Sequence, residues 1–179
     1  MAYRHQISIV GSRSLGEEAL TLARNLSERL VDEGYRIVTG GLGSLPIAVH
    51  MGATSSSSNT GSDTIALLPG FDPEPAIGHA DIIIPTGLDI ARNALVANGD
   101  AVIAIGGGAG TLSEIAFAWQ MNRPIISLGC GGWSEKLAGQ ALDSRFPEKV
   151  IHICKSIEET IDTLSRLLND ENSRHKGIS

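Results

Sequence analysis

The sequence contains only two cysteines among its 179 residues, few aromatic residues and no long apolar run. Cys130 and Cys154 belong to no CxxC or similarly spaced cluster. This argues against a disulfide framework or a cysteine-based zinc site, and it favours free thiols in a reducing compartment. No apolar run approaches the roughly 18 residues that a membrane-spanning helix requires, and the first residues lack the apolar centre of a signal peptide. These absences predict a cytoplasmic protein with no membrane partner.

Positive charge is also scarce. The sequence has 20 acidic and 14 basic residues, a formal net charge of −6, and no dense run of Lys or Arg. Nucleic acid is therefore not expected as a partner, because binding to its backbone depends on clustered positive charge. His50, His79 and His152 lie far apart without the spacing of metal ligands, so we expect no metal site. A small-molecule ligand fits this composition better.

Glycine, in contrast, is abundant, with 21 residues. Glycines follow several short β-branched runs and precede segments with apolar residues at helical spacing, a pattern typical of strand, tight turn and helix. The predicted strands are Gln6–Val10, Arg36–Thr39, Thr64–Leu68, Asp81–Ile84, Asp100–Ile105, Pro124–Leu128 and Val150–Cys154.

This alternation of strands and helices predicts the fold. We expect an α/β protein with a doubly wound, mostly parallel Rossmann-like sheet of about seven strands and helices on both faces. The length suits a single domain. We therefore expect one nucleotide-binding domain over residues 1–168 and a flexible polar tail over residues 169–179.

Three of the glycine-rich turns are candidate ligand sites because each links a strand to a helix. The N–H groups that open a helix lack intrahelical partners and attract a phosphate or carboxylate. Glycine lets the backbone approach such a ligand closely, and turns on neighbouring parallel strands face one crevice. The predicted phosphate-binding residues are Gly11 and Ser12 in the first turn, Gly40, Gly41, Gly43 and Ser44 in the second, and Gly107, Gly108, Gly110 and Thr111 in the third.

Thr111 and Glu114 at the third turn allow two interpretations. Their T-x-x-E spacing fits a capping box, in which the two side chains satisfy backbone N–H groups at the helix start. The same spacing places Glu114 about one turn into the helix, on the face of Thr111 and near a bound anion, where a catalytic carboxylate would lie. Arg13, at the first turn, is likewise either an anion ligand or a solvent-exposed loop arginine.

These motifs, in this order, resemble those of a known family. Residues 107–114, GGAGTLSE, resemble the PGGxGTxxE signature of the LONELY GUY family of cytokinin riboside monophosphate phosphoribohydrolases. Residues 39–44, TGGLGS, resemble its TGGG turn, and residues 10–12, VGS, resemble its first-strand turn. The stretch GLDIARN at residues 87–93 is similar to the DprA/Smf-related Rossmann proteins. That subgroup includes a molybdenum-cofactor carrier protein.

The resemblance implies a phosphorylated nucleotide-like ligand and two catalytic residues, Arg92 and Glu114. In a phosphoribohydrolase, a nucleoside 5′-monophosphate would place its phosphate on the third turn and its ribose C1′ near Glu114. The carboxylate would stabilise oxocarbenium-like charge and orient the attacking water. Arg92 would hold the phosphate or fix Glu114 through a bidentate pair. This reaction requires no metal or other cofactor.

The sequence departs from the family signature at two positions. Asn93 stands where the phosphoribohydrolases have the lysine of an Arg-Lys pair, and Gly106 stands in place of the signature's proline. The missing lysine removes a cation that could bind phosphate. It favours the competing prediction, a non-catalytic carrier or sensor of a nucleotide or molybdopterin-type ligand, whereas the retained Arg92 and Glu114 favour chemistry.

Two helical segments, residues 90–97 and 115–121, are apolar on more than one face, which is more than covering a sheet requires. The resembling families form dimers. We therefore expect a homodimer.

Overall fold

The computed structural model describes residues 3–146 and 148–169. The strands are β1 (Gln6–Gly11), β2 (Arg36–Thr39), β3 (Thr64–Leu68), β4 (Ile82–Pro85), β5 (Ala101–Ile105), β6 (Ile125–Ser127) and β7 (His152–Ile153). The α-helices are α1 (Glu17–Asp32), α2 (Ser44–Ser55), α3 (Asn93–Val96), α4 (Ala109–Gln120), α5 (Gly132–Leu137) and α6 (Ile157–Asn169). Two short 3₁₀ helices span Glu74–Ala76 and Asp89–Arg92.

The seven strands of the described residues form one sheet in the order β4-β3-β2-β1-β5-β6-β7. Every neighbouring pair is parallel. The chain winds outward from β1 to β4, then crosses to β5 beside β1 and winds outward to β7. The predicted doubly wound Rossmann-like sheet is therefore confirmed. A crevice opens at the carboxyl ends of β1 and β5, where the winding direction reverses.

The register of β1 and β5 places the first and third glycine turns side by side. The two strands pair from Ile7 opposite Ala101 to Gly11 opposite Ile105. Both chains therefore leave the sheet at the same level, and their turns lie next to each other at the switch point.

Alternating residues of the central strands build a separate apolar layer on each face of the sheet. Ile7 and Ile9 of β1 pack with α1, α2 and α6 on one face. Val10 packs with α3 and α4 on the other face, around the fully buried Trp119. Burying a large apolar side chain contributes roughly 1.5–3 kcal/mol. The two layers thus hold the strand ends, and the turns that follow them, in fixed positions.

The structure differs from the predicted elements mainly outside the central strands. The segment between β3 and β4 contains a 3₁₀ helix, and the glycine-rich residues after β6 lead into α5. The helical segment predicted over residues 90–97 is one 3₁₀ segment followed by a single turn of α-helix. Of the predicted tail, only Asn169 is described, as the last residue of α6. Residues 170–179 lie outside the described part of the chain.

Cys130 and Cys154 are both free thiols, as predicted. Among the helices of residues 3–146 and 148–169, none has the length and apolarity to cross a membrane.

Candidate functional site

A cavity of about 470 Å³ opens at the carboxyl edge of the sheet, beside the switch point. Sites for small molecules commonly measure roughly 300–1,000 Å³. The turns after β1, β2, β3 and β5, and the 3₁₀ helix that begins at Asp89, contribute to its wall. Among the predicted site residues, those that line it are Gly11, Ser12, Gly40, Arg92, Gly108, Gly110, Thr111 and Glu114.

Arg92 and Glu114 form an ion pair in the wall of this cavity. Nη1 of Arg92 donates to Oε1 of Glu114 at 3.2 Å, and both residues are more than nine-tenths buried. The pair is joined by this one hydrogen bond rather than by the bidentate contact that the sequence suggested. Nε of Arg92 is buried without a hydrogen-bond partner among the described residues. The guanidinium therefore has hydrogen-bonding capacity that Glu114 does not use.

Burial changes the proton affinity of both groups. It raises the pKa of Glu114 from 4.5 to about 7, and the charge and hydrogen bond of Arg92 offset this rise only in part. Burial lowers the pKa of Arg92, and so does the positive charge of Arg13. The charge and hydrogen bond of Glu114 raise this pKa and offset part of the change. Arginine nevertheless stays charged in proteins. Near neutral pH, Glu114 thus exists in both protonation states, as a general acid or base requires.

The capping-box interpretation of Thr111 and Glu114 is wrong. Gly108 is the N-cap of α4, and no side chain makes a capping hydrogen bond there. The carbonyl of Gly108 accepts the first intrahelical bond, while Glu114 is bonded to Arg92. The N–H groups that precede this bond have no side-chain cap, so they can bind an anion.

Gly40 makes room for the Arg92 guanidinium. A Cβ atom on Gly40 would clash with Nη1 of Arg92 and would lie 2.9 Å from its Cζ. Gly40 does not have a positive φ, so alanine could adopt its backbone conformation. A side chain here would therefore displace the Arg92 guanidinium, and the conformational freedom of glycine is not needed.

Gly108 and Gly110 are glycines for a different reason. A Cβ atom on either residue would meet no protein atom within 4 Å, and neither has a positive φ. Both line the cavity. Neither packing nor backbone conformation requires glycine here, and the absence of a side chain leaves the backbone open to close approach from the cavity.

Four predicted site residues do not line the cavity. Gly41, Gly43 and Gly107 have φ values of 72°, 90° and 114°, a left-handed conformation that favours glycine. The backbone N–H and the hydroxyl of Ser44 both donate to the carbonyl of Arg13. These residues shape the turns that carry the lining residues, and a ligand contact by any of them stays a prediction.

Arg13 lies in the cavity wall, where the sequence left its role open. Its side chain is exposed, and its guanidinium forms no hydrogen bond or ion pair with the residues that the structure describes. Its charge is nevertheless close enough to lower the pKa of Arg92. Two guanidinium groups therefore act on one cavity, and only the group on Arg92 is paired with a carboxylate.

The sequence did not predict a site role for several other residues of the wall. They include the apolar residues Leu42, Leu45, Pro46, Pro69 and Ile90 and one further carboxylate, Asp89. Leu42 lies within the TGGLGS stretch, and Asp89 and Ile90 lie within the GLDIARN stretch, but neither motif assigned them a role. Leu45, Pro46 and Pro69 lie outside the motifs. The wall thus combines an anion-binding end with an apolar part.

Asn93 also lines the cavity. It stands where the LONELY GUY phosphoribohydrolases have a lysine. Its side-chain amide donates to the hydroxyl of Ser113 at 2.8 Å, and that hydroxyl donates to the carbonyl of Gly110 at 2.7 Å. Asn93 therefore ties α3 to the first turn of α4 instead of supplying a cation.

Within residues 3–146 and 148–169, no three His, Cys, Asp or Glu side chains are grouped so that they could hold a metal ion.

The fold and the cavity define a Rossmann-like α/β protein with a small-molecule-sized cavity at its switch point. Residues 4–161 match the model of the SLOG cluster4 family, and the chain belongs to that family. An uncharacterized protein of Archaeoglobus fulgidus is 35% identical over 124 residues, which cover 69% of this chain and 79% of that protein.

Solved structures of similar fold include proteins of the predicted DprA/Smf-related subgroup. The molybdenum cofactor binding protein of Rippkaea orientalis is 25% identical, with a TM-score of 0.75 over 94% of this chain and 99% of that one. The Moco carrier protein of Chlamydomonas reinhardtii is 26% identical, with a TM-score of 0.74 over 94% and 100% of the two chains. DNA processing protein A of Helicobacter pylori, 19% identical with a TM-score of 0.64 over 90% and 80%, shares the fold alone. The predicted resemblance to this subgroup is confirmed.

Proposed function

We propose that this protein binds a phosphorylated, nucleotide-like or molybdopterin-type ligand in the cavity and carries it without chemical change. The observation that supports this most directly is the pair of cavity-lining glycines, Gly108 and Gly110. A ligand that approaches the backbone closely would account for glycine at these two cavity-lining positions, where the fold itself leaves room for a side chain.

The anion-binding end of the cavity suits a phosphate group. The uncapped N–H groups at the start of α4 supply hydrogen-bond donors and the positive end of the helix dipole. The unpaired guanidinium of Arg13 adds a full charge that can bind phosphate in a bidentate manner. The cavity therefore offers a phosphate both directional donors and charge.

Two observations favour a carrier over an enzyme. The solved structures of similar fold include the molybdenum cofactor binding protein of Rippkaea orientalis and the Moco carrier protein of Chlamydomonas reinhardtii. In addition, Asn93 supplies a structural hydrogen bond where the resembling hydrolases supply a lysine cation. Molybdenum would be cargo in this proposal, held through the organic part of its cofactor.

A co-elution experiment tests the proposal. Molybdenum cofactor released from a molybdoenzyme is incubated anaerobically with the protein, and the protein fraction from gel filtration is analysed for molybdenum by mass spectrometry. We expect close to one molybdenum per chain, and none when molybdate replaces the cofactor. Gly108→Val, whose side chain would enter the cavity, should abolish co-elution.

Gly16→Val is the matched control for this experiment. Gly16 is also a helix N-cap with extended backbone and no atom within 4 Å of a Cβ position, but it does not line the cavity. It should retain the cargo. Equal molybdenum in Gly108→Val and Gly16→Val would contradict binding beside Gly108, and none with the wild type would exclude a molybdopterin-type cargo.

Phosphoribohydrolase activity is the second candidate function. The observation that favours it is the pKa of Glu114, which is about 7, because a carboxyl group that exchanges protons near neutral pH suits cleavage of an N-glycosidic bond. In that case the ribose C1′ of a nucleoside 5′-monophosphate lies near Glu114, and Arg92 holds the carboxyl group in place. Release of free base distinguishes this candidate from the carrier.

We also propose that the protein is a homodimer, although the structure changes the basis for this prediction. The apolar residues of α4 that suggested an interface, Ile115 and Trp119 among them, are buried within their own chain. Ile90 is 80% exposed and Leu95 on α3 is 46% exposed. The surface around these two residues is therefore the proposed interface, which borders the cavity because Ile90 also lines it.

A further inference from the structure

Asp89 is a cavity-lining carboxylate to which the proposed function gives no role. The residue is exposed, and its side chain makes no hydrogen bond or ion pair with the described residues. Its φ of 49° lies in the left-handed region, which Asp and Asn tolerate better than most other residues. A carboxylate in this setting is available to a ligand.

The backbone fixes where Asp89 lies along the carboxyl edge of the sheet. Its N–H donates to the carbonyl of Pro69 at 2.9 Å, and Pro69 directly follows β3. The start of α4 follows β5, and β3 is separated from β5 by β2 and β1. At about 4.8 Å per strand, the two ends of the cavity are about 14 Å apart.

The Arg92–Glu114 pair lies between these two ends. Its guanidinium packs against Gly40, which follows β2. A ligand with its phosphate at α4 therefore passes the ion pair with its central part and reaches Asp89 with its far end. Like charges repel, so a carboxylate is favourable beside the end of the ligand that does not carry the phosphate.

The surroundings of Asp89 suit a flat heterocycle. Pro69 and Ile90 are its neighbours in the cavity wall, and Leu42 adds apolar surface from the turn after β2. Such surfaces cover the faces of a ring, while a carboxylate binds the hydrogen-bond donors along its edge. The chemistry of that edge then determines which heterocycle is accepted.

We infer that Asp89 selects ligands whose heterocycle presents a ring N–H beside an amino group, the 2-amino-4-oxopyrimidine edge shared by guanine and pterins. The two oxygens of a carboxylate accept two parallel hydrogen bonds from such an edge. Adenine and cytosine place a ring acceptor beside their amino group, so they cannot make this pair of bonds. The inference rests on the proposed binding of a phosphorylated ligand and names the part of it that is recognised.

Calorimetric titration of the wild type and Asp89→Asn tests the inference. The probes are guanosine, inosine and adenosine 5′-monophosphates, together with 6-hydroxymethylpterin diphosphate. Asparagine keeps the size of the side chain and tolerates the same φ, but it accepts only one of the two bonds. We expect the wild type to bind the guanine and pterin probes at least about 10-fold more tightly than the inosine and adenosine probes.

In Asp89→Asn, affinity for the guanine and pterin probes should fall about 10-fold or more, while the affinity for adenosine monophosphate stays within about twofold. Asp72→Asn removes the same charge from a nearby exposed residue outside the cavity, and it should leave all affinities unchanged. Whichever of the guanine and pterin probes binds more tightly identifies the source of the edge.

Two outcomes overturn the inference in different ways. If the wild type binds all the phosphorylated probes equally, or if Asp89→Asn weakens them all equally, Asp89 does not select the heterocycle and the proposed binding function stands. If the wild type binds none of the probes, the proposed binding of nucleotide-like ligands fails and the inference fails with it.

Discussion

Glu114 carries a carboxyl group whose pKa of about 7 in the folded chain lies above the 4.5 of an unperturbed glutamate. Such a group stabilises the fold fully below its unfolded pKa, and this contribution is lost as the pH rises through the folded pKa. Relative to Glu114→Gln, the free energy of unfolding of the wild type should therefore fall between about pH 4.5 and pH 8, by up to about 3 kcal/mol. Urea denaturation of both proteins across this range measures the difference.

Glu114→Gln is a suitable reference because glutamine keeps an oxygen that accepts from Arg92 but does not ionise. Any remaining pH dependence that the two proteins share comes from other groups. A difference in unfolding free energy that stays constant across the range would mean that Glu114 titrates with an ordinary pKa.

Gly40→Ala tests whether this glycine exists to admit the Arg92 guanidinium. The new methyl group would displace Nη1 of Arg92 and break its bond to Glu114. Because Arg92 lowers the pKa of Glu114, that pKa should rise above 7. Carboxyl chemical shifts followed by NMR titration report the pKa directly.

Gly110→Ala is the matched control for Gly40→Ala in the NMR titration, because a methyl group at residue 110 meets no protein atom within 4 Å. The pKa of Glu114 should stay near 7 in that variant. An unchanged pKa in Gly40→Ala as well would contradict the role assigned to Gly40.

At the scale of single elements, Gly110 affects two properties of α4: the stability of the helix and the access of a ligand to its first turn. Gly110 lies in the first turn of α4, and glycine within a helix is less stable than alanine by roughly 0.5–1 kcal/mol. Gly110→Ala should therefore raise the free energy of unfolding by up to about this amount while weakening binding of a phosphorylated probe. Thermal denaturation and calorimetric titration of the same samples measure both effects. A variant that gained stability and kept full affinity would show that no ligand approaches Gly110.

The sequence predicted the central elements well for a physical reason. A strand buried on both faces has a continuous β-branched run, so β2 and β3 have the predicted bounds, and β5 is only one residue shorter than predicted. The glycine turns followed from these strand ends, and with them Glu114 and the lining residues of the first and third turns, whereas Arg92 was implied by the family resemblance. The edge strand β7 is shorter than predicted, because only His152 and Ile153 meet a neighbouring strand.

The remaining features depend on contacts that no local pattern encodes. Helix α5 follows Gly131 and starts at Gly132, which both have positive φ. A Cβ on Gly132 would also clash with the backbone of Gly107, so its glycine serves packing between two turns, although the sequence there is typical of a loop. Pro69 likewise reaches the cavity only through the order of the strands. Spacing alone could not distinguish a capping Glu114 from one paired with Arg92, 22 residues away.

At the scale of the whole molecule, the proposed homodimer predicts a mass twice that of the 18.8 kDa chain. Light scattering at micromolar concentration should give the dimer mass for the wild type. Leu95→Glu should give a monomer, because it places a charge in the proposed apolar interface. Val150→Glu, at another exposed apolar residue, serves as the control and should remain a dimer. A monomeric wild type would refute the homodimer.

The measurement that tests the central claim most directly follows the fate of a bound nucleotide. The protein is incubated with a panel of nucleoside 5′-monophosphates, and the bound and free fractions are analysed by chromatography for intact nucleotide and free base, with Glu114→Gln in parallel. If the protein is a carrier, the wild type and Glu114→Gln both return every nucleotide intact. The wild type also retains at least one nucleotide in its bound fraction. Free base that accumulates with the wild type, and not with Glu114→Gln, would contradict the carrier and establish a hydrolase.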